Sequence, residues 1–187
     1  NLTWSPDGKL IAFTMFRREN LPVVIKMPQK PKGANWAKPA RITNRLKHEA
    51  DGRGYLKPGF THIYTIPSQG GTPEQITSGK YNHTGTLSFS PDSKSIYFSA
   101  NRVEDWEYDF RNSEVYKVNV DTKQISELTT QDGPDYAPKV SPDGKTIAFL
   151  GYLDKVQDYQ NTVLHLIDSD GSNRRIISSS LDESISD

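Results

Sequence analysis

A string of twelve residues recurs three times in this chain, and it constrains the fold more than any other feature of the sequence. The copies begin at Leu2, Leu87 and Pro138, and each contains Ser-Pro-Asp, then glycine or serine, then lysine. Proline presets the backbone for a tight turn, aspartate bonds back to the local backbone, and glycine accepts a left-handed conformation. Apolar residues alternate on both sides of the turn, which indicates a β-hairpin. The three turns are centred on Pro6-Asp7, Pro91-Asp92 and Pro142-Asp143.

Ser93 stands in the middle copy where the other two copies have glycine. A serine costs about 1 kcal/mol relative to glycine if its φ is positive. A change of turn type at Ser93 would avoid this cost.

A second pair of strands is predicted after each hairpin, with turn residues between its two members. These strands cover residues 62–67 and 74–77, 114–120 and 125–129, and 163–167 and 174–177. Each unit is therefore a four-stranded antiparallel meander, which is the blade of a β-propeller. We predict an all-β fold, a partial β-propeller of about three such blades. No helix longer than about three turns is expected, because no segment has sustained 3.6-residue apolar periodicity.

The spacing of the copies predicts how the blades divide the chain. Ser5, Ser90 and Ser141 are separated by 85 and 51 residues, and only the second spacing matches one blade. Either a degenerate blade or an insertion accounts for the longer spacing, and we favour an insertion rich in proline, glycine and lysine. The predicted limits are a blade at 1–80 with an insertion at about 17–60, blades at 85–130 and 137–178, and the start of a further blade at 179–187. Three blades do not close a propeller.

The charge of the chain is balanced overall and uneven along its length. Basic and acidic residues number 23 each, so the chain as a whole does not attract nucleic acid or an anionic membrane. Residues 17–60 hold eleven of the basic residues and three of the acidic ones, without a nucleic-acid-binding motif. The apolar stretch at 146–153 is far shorter than a membrane-spanning helix. We expect a solvated basic insertion, no nucleic acid and no membrane span.

Few residue patterns suggest a metal or a cofactor. Cysteine is absent, so disulfides and thiolate sites are excluded. Asp168, Asp170 and Asn173 are spaced like the start of a calcium loop, but the twelfth position is Ser179 rather than glutamate, which favours an ordinary turn. The histidines lack ligand spacing and are expected to be isolated structural or surface residues. They are His48, His62, His83 and His165. We expect neither metal nor cofactor.

The hairpins resemble the propeller repeats of TolB-like proteins and of the prolyl oligopeptidase family of serine peptidases. Three further segments are similar to the acylaminoacyl-peptidase branch of that family. They are residues 50–56 (Ala-Asp-Gly-Arg-Gly-Tyr-Leu), 70–77 (Gly-Gly-Thr-Pro-Glu-Gln-Ile-Thr) and 98–102 (Phe-Ser-Ala-Asn-Arg). The resemblance covers nearly the whole chain. It implies a propeller that precedes a separate α/β-hydrolase domain with a Ser-Asp-His triad and that restricts which peptides reach it.

The catalytic part of such an enzyme is not found in this sequence. A Gly-x-Ser-x-Gly nucleophile elbow needs two glycines four positions apart, and no pair among the thirteen glycines has that separation. We therefore expect no catalytic residue here, and a non-catalytic propeller fragment that gates peptide access to the hydrolase domain. Its expected partners are a peptide substrate and that domain, against which the basic insertion could pack. The alternatives are a TolB-like envelope protein-binding propeller and a propeller with a carbohydrate-cleaving channel site.

The loop at residues 101–111 holds the candidate residues for substrate contact. It joins the second and third strands of a blade and places charges beside three aromatic side chains. Acidic groups there could pair with the amino terminus of a peptide, and an arginine could pair with a carboxylate. The candidates are Arg102, Glu104, Asp105, Glu107 and Arg111. The alternative is that these charges pair structurally between blades.

Two expectations concern the chain as a whole. The resemblance favours the periplasm over the cytoplasm as the compartment. A three-blade arc leaves two blade flanks uncovered, so the chain is expected to self-associate through them or to be disordered at 181–187.

Overall fold

The computed structural model describes residues 2–20, 26–37 and 40–186. Lys38, in the basic insertion, and Asp187, in the predicted last segment, lie outside the described residues. The described residues form strands and turns and contain no helix. In chain order the strands are β1 (Leu2–Trp4), β2 (Leu10–Arg18), β3 (Glu49–Ala50), β4 (Gly54–Tyr55), β5 (Gly59–Pro67), β6 (Glu74–Gln75), β7 (Ser88–Phe89), β8 (Ser95–Ala100), β9 (Glu114–Asn119), β10 (Ile125–Glu127), β11 (Asp135–Val140), β12 (Thr146–Gly151), β13 (Val163–Asp168) and β14 (Arg175–Ile176).

Twelve of these strands form three antiparallel sheets of four strands each. The strand orders are β1-β2-β5-β6, β7-β8-β9-β10 and β11-β12-β13-β14, and we call these sheets blades 1, 2 and 3. In blade 1 the segment 19–58 separates the second strand from the third, and it contains the small β3-β4 hairpin. The predicted all-β fold, a partial propeller of four-stranded antiparallel blades, is confirmed.

The serine of each Ser-Pro-Asp turn closes the turn from inside. Ser5 Oγ donates to Asp7 Oδ1 at 2.7 Å and accepts the backbone N–H of Leu10 at 2.9 Å, while Asp7 Oδ1 accepts the N–H of Lys9 at 3.1 Å. The same three bonds recur in the turns of blades 2 and 3. This network explains why serine, aspartate and lysine repeat together.

The middle turn does not change its type. Ser93 has a φ of 60°, close to the 71° of Gly8 and the 73° of Gly144 at the same place in the other turns. The suggested change of turn type, which would have avoided the left-handed conformation, is therefore wrong. Ser93 thus adopts the left-handed conformation that glycine adopts in the other two turns.

The core lies between the blades and repeats from blade to blade. In each blade a second-strand phenylalanine stacks on a third-strand ring, as Phe98 does on Tyr116 with ring centroids 5.7 Å apart. Phe98 is buried against Ala12 and Ile63 of blade 1. Phe149 stacks on a third-strand ring in blade 3 and is buried against blade 2. The apolar faces of blades 2 and 3 are thus each covered by the preceding blade.

The corresponding face of blade 1 has no cover in the described structure. Leu2 is 69% exposed, whereas Leu87, at the same place in blade 2, is 3% exposed. Trp4 is 55% exposed and its counterpart Phe89 is 7% exposed. Blade 1 therefore presents an apolar flank to solvent, and self-association through that flank stays a prediction.

The connections that leave the three blades share one backbone contact. The N–H of His83 bonds to a carbonyl near the start of the third strand of blade 1, at 2.9 Å from Thr61 O. Asp135 makes the equivalent bond in blade 2 at 2.7 Å, and Ile185 makes it to Thr162 O in blade 3 at 3.0 Å. The segment that leaves blade 3 therefore follows the same path as the connections between blades 1 and 2 and between blades 2 and 3.

Candidate functional site

We call the described parts of the loops between second and third strands the loop face. It consists of residues 19–20, 26–37, 40–58, 101–113 and 152–162. Arg45, from the first loop, lies with its guanidinium carbon 4.0 Å from the ring centre of Phe60 and 5.4 Å from that of Trp106 in the second loop. The two rings meet edge to face with centroids 6.2 Å apart. This stack fixes the insertion of blade 1 against the loop of blade 2.

Asp154 lies in the third of these loops, and its side chain bonds within its own loop. Its carboxylate accepts the N–H of Val156 at 2.7 Å and the amide of Gln160 at 3.1 Å. These two hydrogen bonds, and then the nearby charge of Arg111 from the second loop, lower the pKa of Asp154. The charged form of the Asp154 carboxyl is therefore stabilised at the loop face.

Arg102, one of the predicted contact residues, turns away from the loop face. One of its Nη atoms lies 2.6 Å from His83 Nε2, and its guanidinium carbon is 4.9 Å from the ring centre of Tyr81 and 5.6 Å from that of Tyr116. These partners belong to the junction of blades 1 and 2. The position of Arg102 fits the structural alternative, pairing between blades.

The other four candidates lie in the loop with different exposures. Glu104, Asp105 and Arg111 are exposed, and Glu107 is half-buried. Glu107 Oε1 is buried and has no hydrogen-bond partner in the described structure. The structure thus keeps three charged candidates at the surface and does not bring Arg102 together with them.

Exposed aromatic side chains accompany those charges, and two of them are among the three aromatics that the sequence places in the loop at 101–111. Tyr108 and Phe110 are each 76% exposed, and the guanidinium carbon of Arg111 is 5.7 Å from the ring centre of Phe110. Tyr159 in the next loop is also 76% exposed. Apolar surface of this kind beside charges is typical of binding surfaces.

Two of the four histidines lie together, contrary to the expectation that all would be isolated. The rings of His62 and His83 have centroids 5.4 Å apart. Burial, and then the charge of Arg102, lower the pKa of His83 to about 3, so this ring is neutral and can accept a hydrogen bond from Arg102. The pair could not be found from sequence because 21 positions separate its members.

A second buried polar cluster joins blades 2 and 3. The carboxylate of Asp135 receives two hydrogen bonds from Arg174, at 2.7 and 2.9 Å. Glu114 is buried and accepts the hydroxyl of Thr129. Burial raises the pKa of Glu114 to about 7. The residues of this cluster come from three separate segments, so no local sequence motif predicts it.

The calcium-like segment is an ordinary turn in the structure. Asp168 Oδ2 accepts the side-chain amide of Asn173 at 2.7 Å, and Asp170 Oδ1 accepts the hydroxyl of Ser172 at 2.6 Å. These side-chain hydrogen bonds lie within the turn itself. Across 2–20, 26–37 and 40–186, no group of three His, Cys, Asp or Glu residues is placed to hold a metal ion. No helix within these ranges is long and apolar enough to span a membrane.

A basic cleft of about 580 Å³ opens at the loop face between the insertion and blade 1. Four of its lining side chains are cationic and one is a histidine, and no acidic side chain of the described residues lines it. These five residues are Arg45, Lys47, His48, Arg53 and Lys57. The cleft therefore contains several of the basic residues that are concentrated at 17–60 in the sequence.

Comparisons with known proteins give a family match along the whole chain. The family model of the TolB beta propeller domain matches residues 2–186. An uncharacterized protein of Agrobacterium fabrum is 24% identical over 181 residues, which are 90% of this chain and 57% of that protein. The uncharacterized peptidase YuxL of Bacillus subtilis is 30% identical over 101 residues, which are 54% of this chain and 15% of that protein. The chain thus spans only part of the length of these relatives.

Among solved structures, a putative TolB from Agrobacterium tumefaciens has a similar fold. Its TM-score is 0.57 at 23% sequence identity, and the match covers 92% of this chain and 46% of that chain. At this identity the likeness concerns the fold alone.

Proposed function

This chain belongs to the family of the TolB beta propeller domain, and from that premise we propose that it is the propeller part of a serine peptidase of the prolyl oligopeptidase family. In this proposal the loop face gates peptide access to a separate α/β-hydrolase domain of the parent protein, as in an acylaminoacyl peptidase. The propeller supplies no catalytic residue. It selects substrates and docks against the catalytic domain.

The observation that carries the proposal is the match to a peptidase. The 101 matched residues are only 15% of YuxL, so in that relative a segment of this kind is a small part of a longer chain. The Asp-Gly-Arg-Gly-Tyr-Leu segment of the insertion, similar to the acylaminoacyl-peptidase branch, supports the same assignment.

The geometry of the loop face supports the gating role. Arg45 of the first loop stacks on Phe60 and lies near Trp106 of the second loop, so a peptide that crosses this end of the blades would meet both loops. Glu104 and Asp105 are exposed and could pair with a peptide amino terminus. Arg111 could pair with a carboxylate.

We also propose that residues 179–187 lead into a further blade. Ile185 donates to Thr162 O as His83 and Asp135 donate to the equivalent carbonyls, and after those two residues a new blade begins. A further blade would cover the flank of blade 3.

The test begins with the reading frame that encodes the chain. We expect it to continue for roughly 300 residues beyond the propeller and to contain Gly-x-Ser-x-Gly followed by Asp and then His. The full encoded protein should react with a fluorophosphonate probe and cleave acylated peptides, whereas the 187 residues alone should do neither. A reading frame that ends within a few blades would contradict the peptidase assignment and favour a TolB-like protein-binding propeller.

A further inference from the structure

We infer that the basic cleft of the insertion is a binding site for acidic peptide segments, which dock through clustered carboxylates. The choice of a peptide as the ligand rests on the proposed function. The preference of the cleft for acidic peptides goes beyond that function. Three features of the cleft support the inference: its charge, the contacts that fix its walls and the state of its aromatic rings.

The charges of the cleft are free to meet a ligand. Lys47, Arg53 and Lys57 are exposed and line the same cleft. None of the three is in an ion pair within the described part of the chain. Glu49 and Asp51 lie in the same hairpin region but do not line the cleft. Since the whole chain has no net charge, this concentration of free cations is a local property of the insertion.

The walls of the cleft are held in place by contacts with the blade. Arg45 packs on Phe60, and one of its Nη atoms lies 3.5 Å from the carbonyl oxygen of Gly59 at the start of β5. His48 Nδ1 is 3.0 Å from the carbonyl oxygen of Leu46, which leaves Nε2 available. The N–H of Leu56 bonds to the carbonyl oxygen of His48 at 2.8 Å and closes the hairpin. A ligand would therefore meet cations on a supported frame, which reduces the entropy lost on binding.

The aromatic rings favour a peptide over a single-stranded nucleic acid. Nucleic acids bind basic grooves by stacking bases on open ring faces. Here the guanidinium carbon of Arg41 lies 3.8 Å from the ring centre of Tyr55, and Arg45 covers Phe60. One face of each ring is thus taken by an arginine of the chain itself. Carboxylates need only the cations, since guanidinium and ammonium groups bind them by charge-assisted hydrogen bonds.

The test measures binding by fluorescence anisotropy at low salt, without hydrolysis. The probes are a fluorescein-labelled oligoglutamate peptide, the same peptide with glutamine at every glutamate, and a single-stranded oligonucleotide of the same net charge. We expect the glutamate peptide to bind the chain, the glutamine peptide to bind much more weakly, and added salt to weaken the binding.

The variants separate the cleft from general electrostatics. Lys47→Glu with Lys57→Glu should weaken binding of the glutamate peptide by about tenfold, because two favourable surface contacts become repulsive. Lys139→Glu with Arg175→Glu makes the same change of net charge on exposed residues of blade 3, and binding should be unchanged. Lys47→Gln with Lys57→Gln should give an intermediate loss of affinity for the glutamate peptide. This pair keeps the test valid if the charge-reversed variant fails to fold.

Three results would overturn the inference. They are equal weakening by the blade 3 pair, equal binding of the glutamate and glutamine peptides, and no binding of the glutamate peptide at low salt. Tighter binding of the oligonucleotide, lost in the cleft variants, would assign the cleft to nucleic acid instead. Because no catalytic step is measured, failure of the peptidase assignment leaves this test unaffected.

Discussion

The hydroxyl of Ser93 accepts a hydrogen bond from the backbone N–H of Asp7 at 3.1 Å, although the two residues are 86 positions apart. The bond joins the Ser-Pro-Asp turn of blade 2 to that of blade 1. It accounts for the serine at a position where the other two copies have glycine, because a glycine has no acceptor to offer. The hydrogen bond offsets the cost of the φ of 60° at Ser93.

The first prediction compares two substitutions at Ser93. Ser93→Ala loses the hydrogen bond and keeps the unfavourable φ, so the free energy of unfolding should fall by about 0.5–1.5 kcal/mol. Ser93→Gly loses the same bond but gains about 1 kcal/mol from the relaxed backbone, so it should be close to wild type. Urea unfolding measures both. A glycine variant more stable than wild type by the full backbone gain would mean that the bond to Asp7 contributes nothing.

The second prediction concerns the junction between the insertion and blade 1. Gly59 has a φ of 146°, and a Cβ there would lie 2.3 Å from the carbonyl oxygen of Arg17 and 2.7 Å from the ring of Phe16. Gly59→Ala should therefore destabilise the chain by about 3 kcal/mol or more. Gly52→Ala is the matched control, since Gly52 has a φ of 71° but open space around it, and should cost only about 1 kcal/mol. Equal losses in urea unfolding would show that the close contact at Gly59 has no effect.

The third prediction follows from the buried Glu114. Burial raises its pKa in the folded state to about 7 from the ordinary value of 4.5, so between these values the folded state holds a proton that the unfolded state releases. Stability from this group is therefore full below pH 4.5 and is lost as the pH rises through 7. Glu114→Gln cannot titrate. The wild type should thus lose about 1–2 kcal/mol more than the variant between pH 5 and pH 8, once solvent screening is allowed for.

The comparison with Glu114→Gln is needed because other groups titrate in the same range. Burial lowers the pKa of His83 to about 3 and that of His165 to about 4, so both histidines favour the folded state as the pH rises from 4 to 6.5. The histidines thus raise the free energy of unfolding as the pH rises, whereas Glu114 lowers it. The effect of the histidines is the same in the wild type and in the Glu114→Gln variant. Parallel pH profiles for the wild type and the variant would contradict the proposed titration of Glu114.

The blades could be predicted from the sequence because the chemistry of each turn is local. Within the string that begins at Leu87, Ser90 and Asp92 form their hydrogen bonds two to five positions apart, so the repeated string specifies each hairpin. The long-range contacts are different. Asp135 and Arg174 of blade 3 are 39 positions apart. Arg102 and His83, at the junction of blades 1 and 2, are 19 positions apart. Neither pair belongs to the repeated string. Their meeting depends on how the strands and sheets pack, which no periodicity records. The sequence therefore allowed pairing between blades as an alternative for Arg102 but could not identify His83 as its partner.

The last prediction concerns the open flank of blade 1. Trp4 occupies the place that Phe89 fills in blade 2, where Phe89 is 7% exposed and packs against blade 1, yet Trp4 is 55% exposed. Exposed apolar surface of this kind favours association, so the isolated chain should form dimers or larger species as its concentration rises. Trp4→Arg should shift that association to higher concentration, because a buried arginine without a partner opposes the contact. Tyr159→Arg, on the equally accessible loop face, is the control and should associate like the wild type. Light scattering over a concentration series measures this, and a wild-type chain that stays monomeric throughout would show that the flank does not drive association.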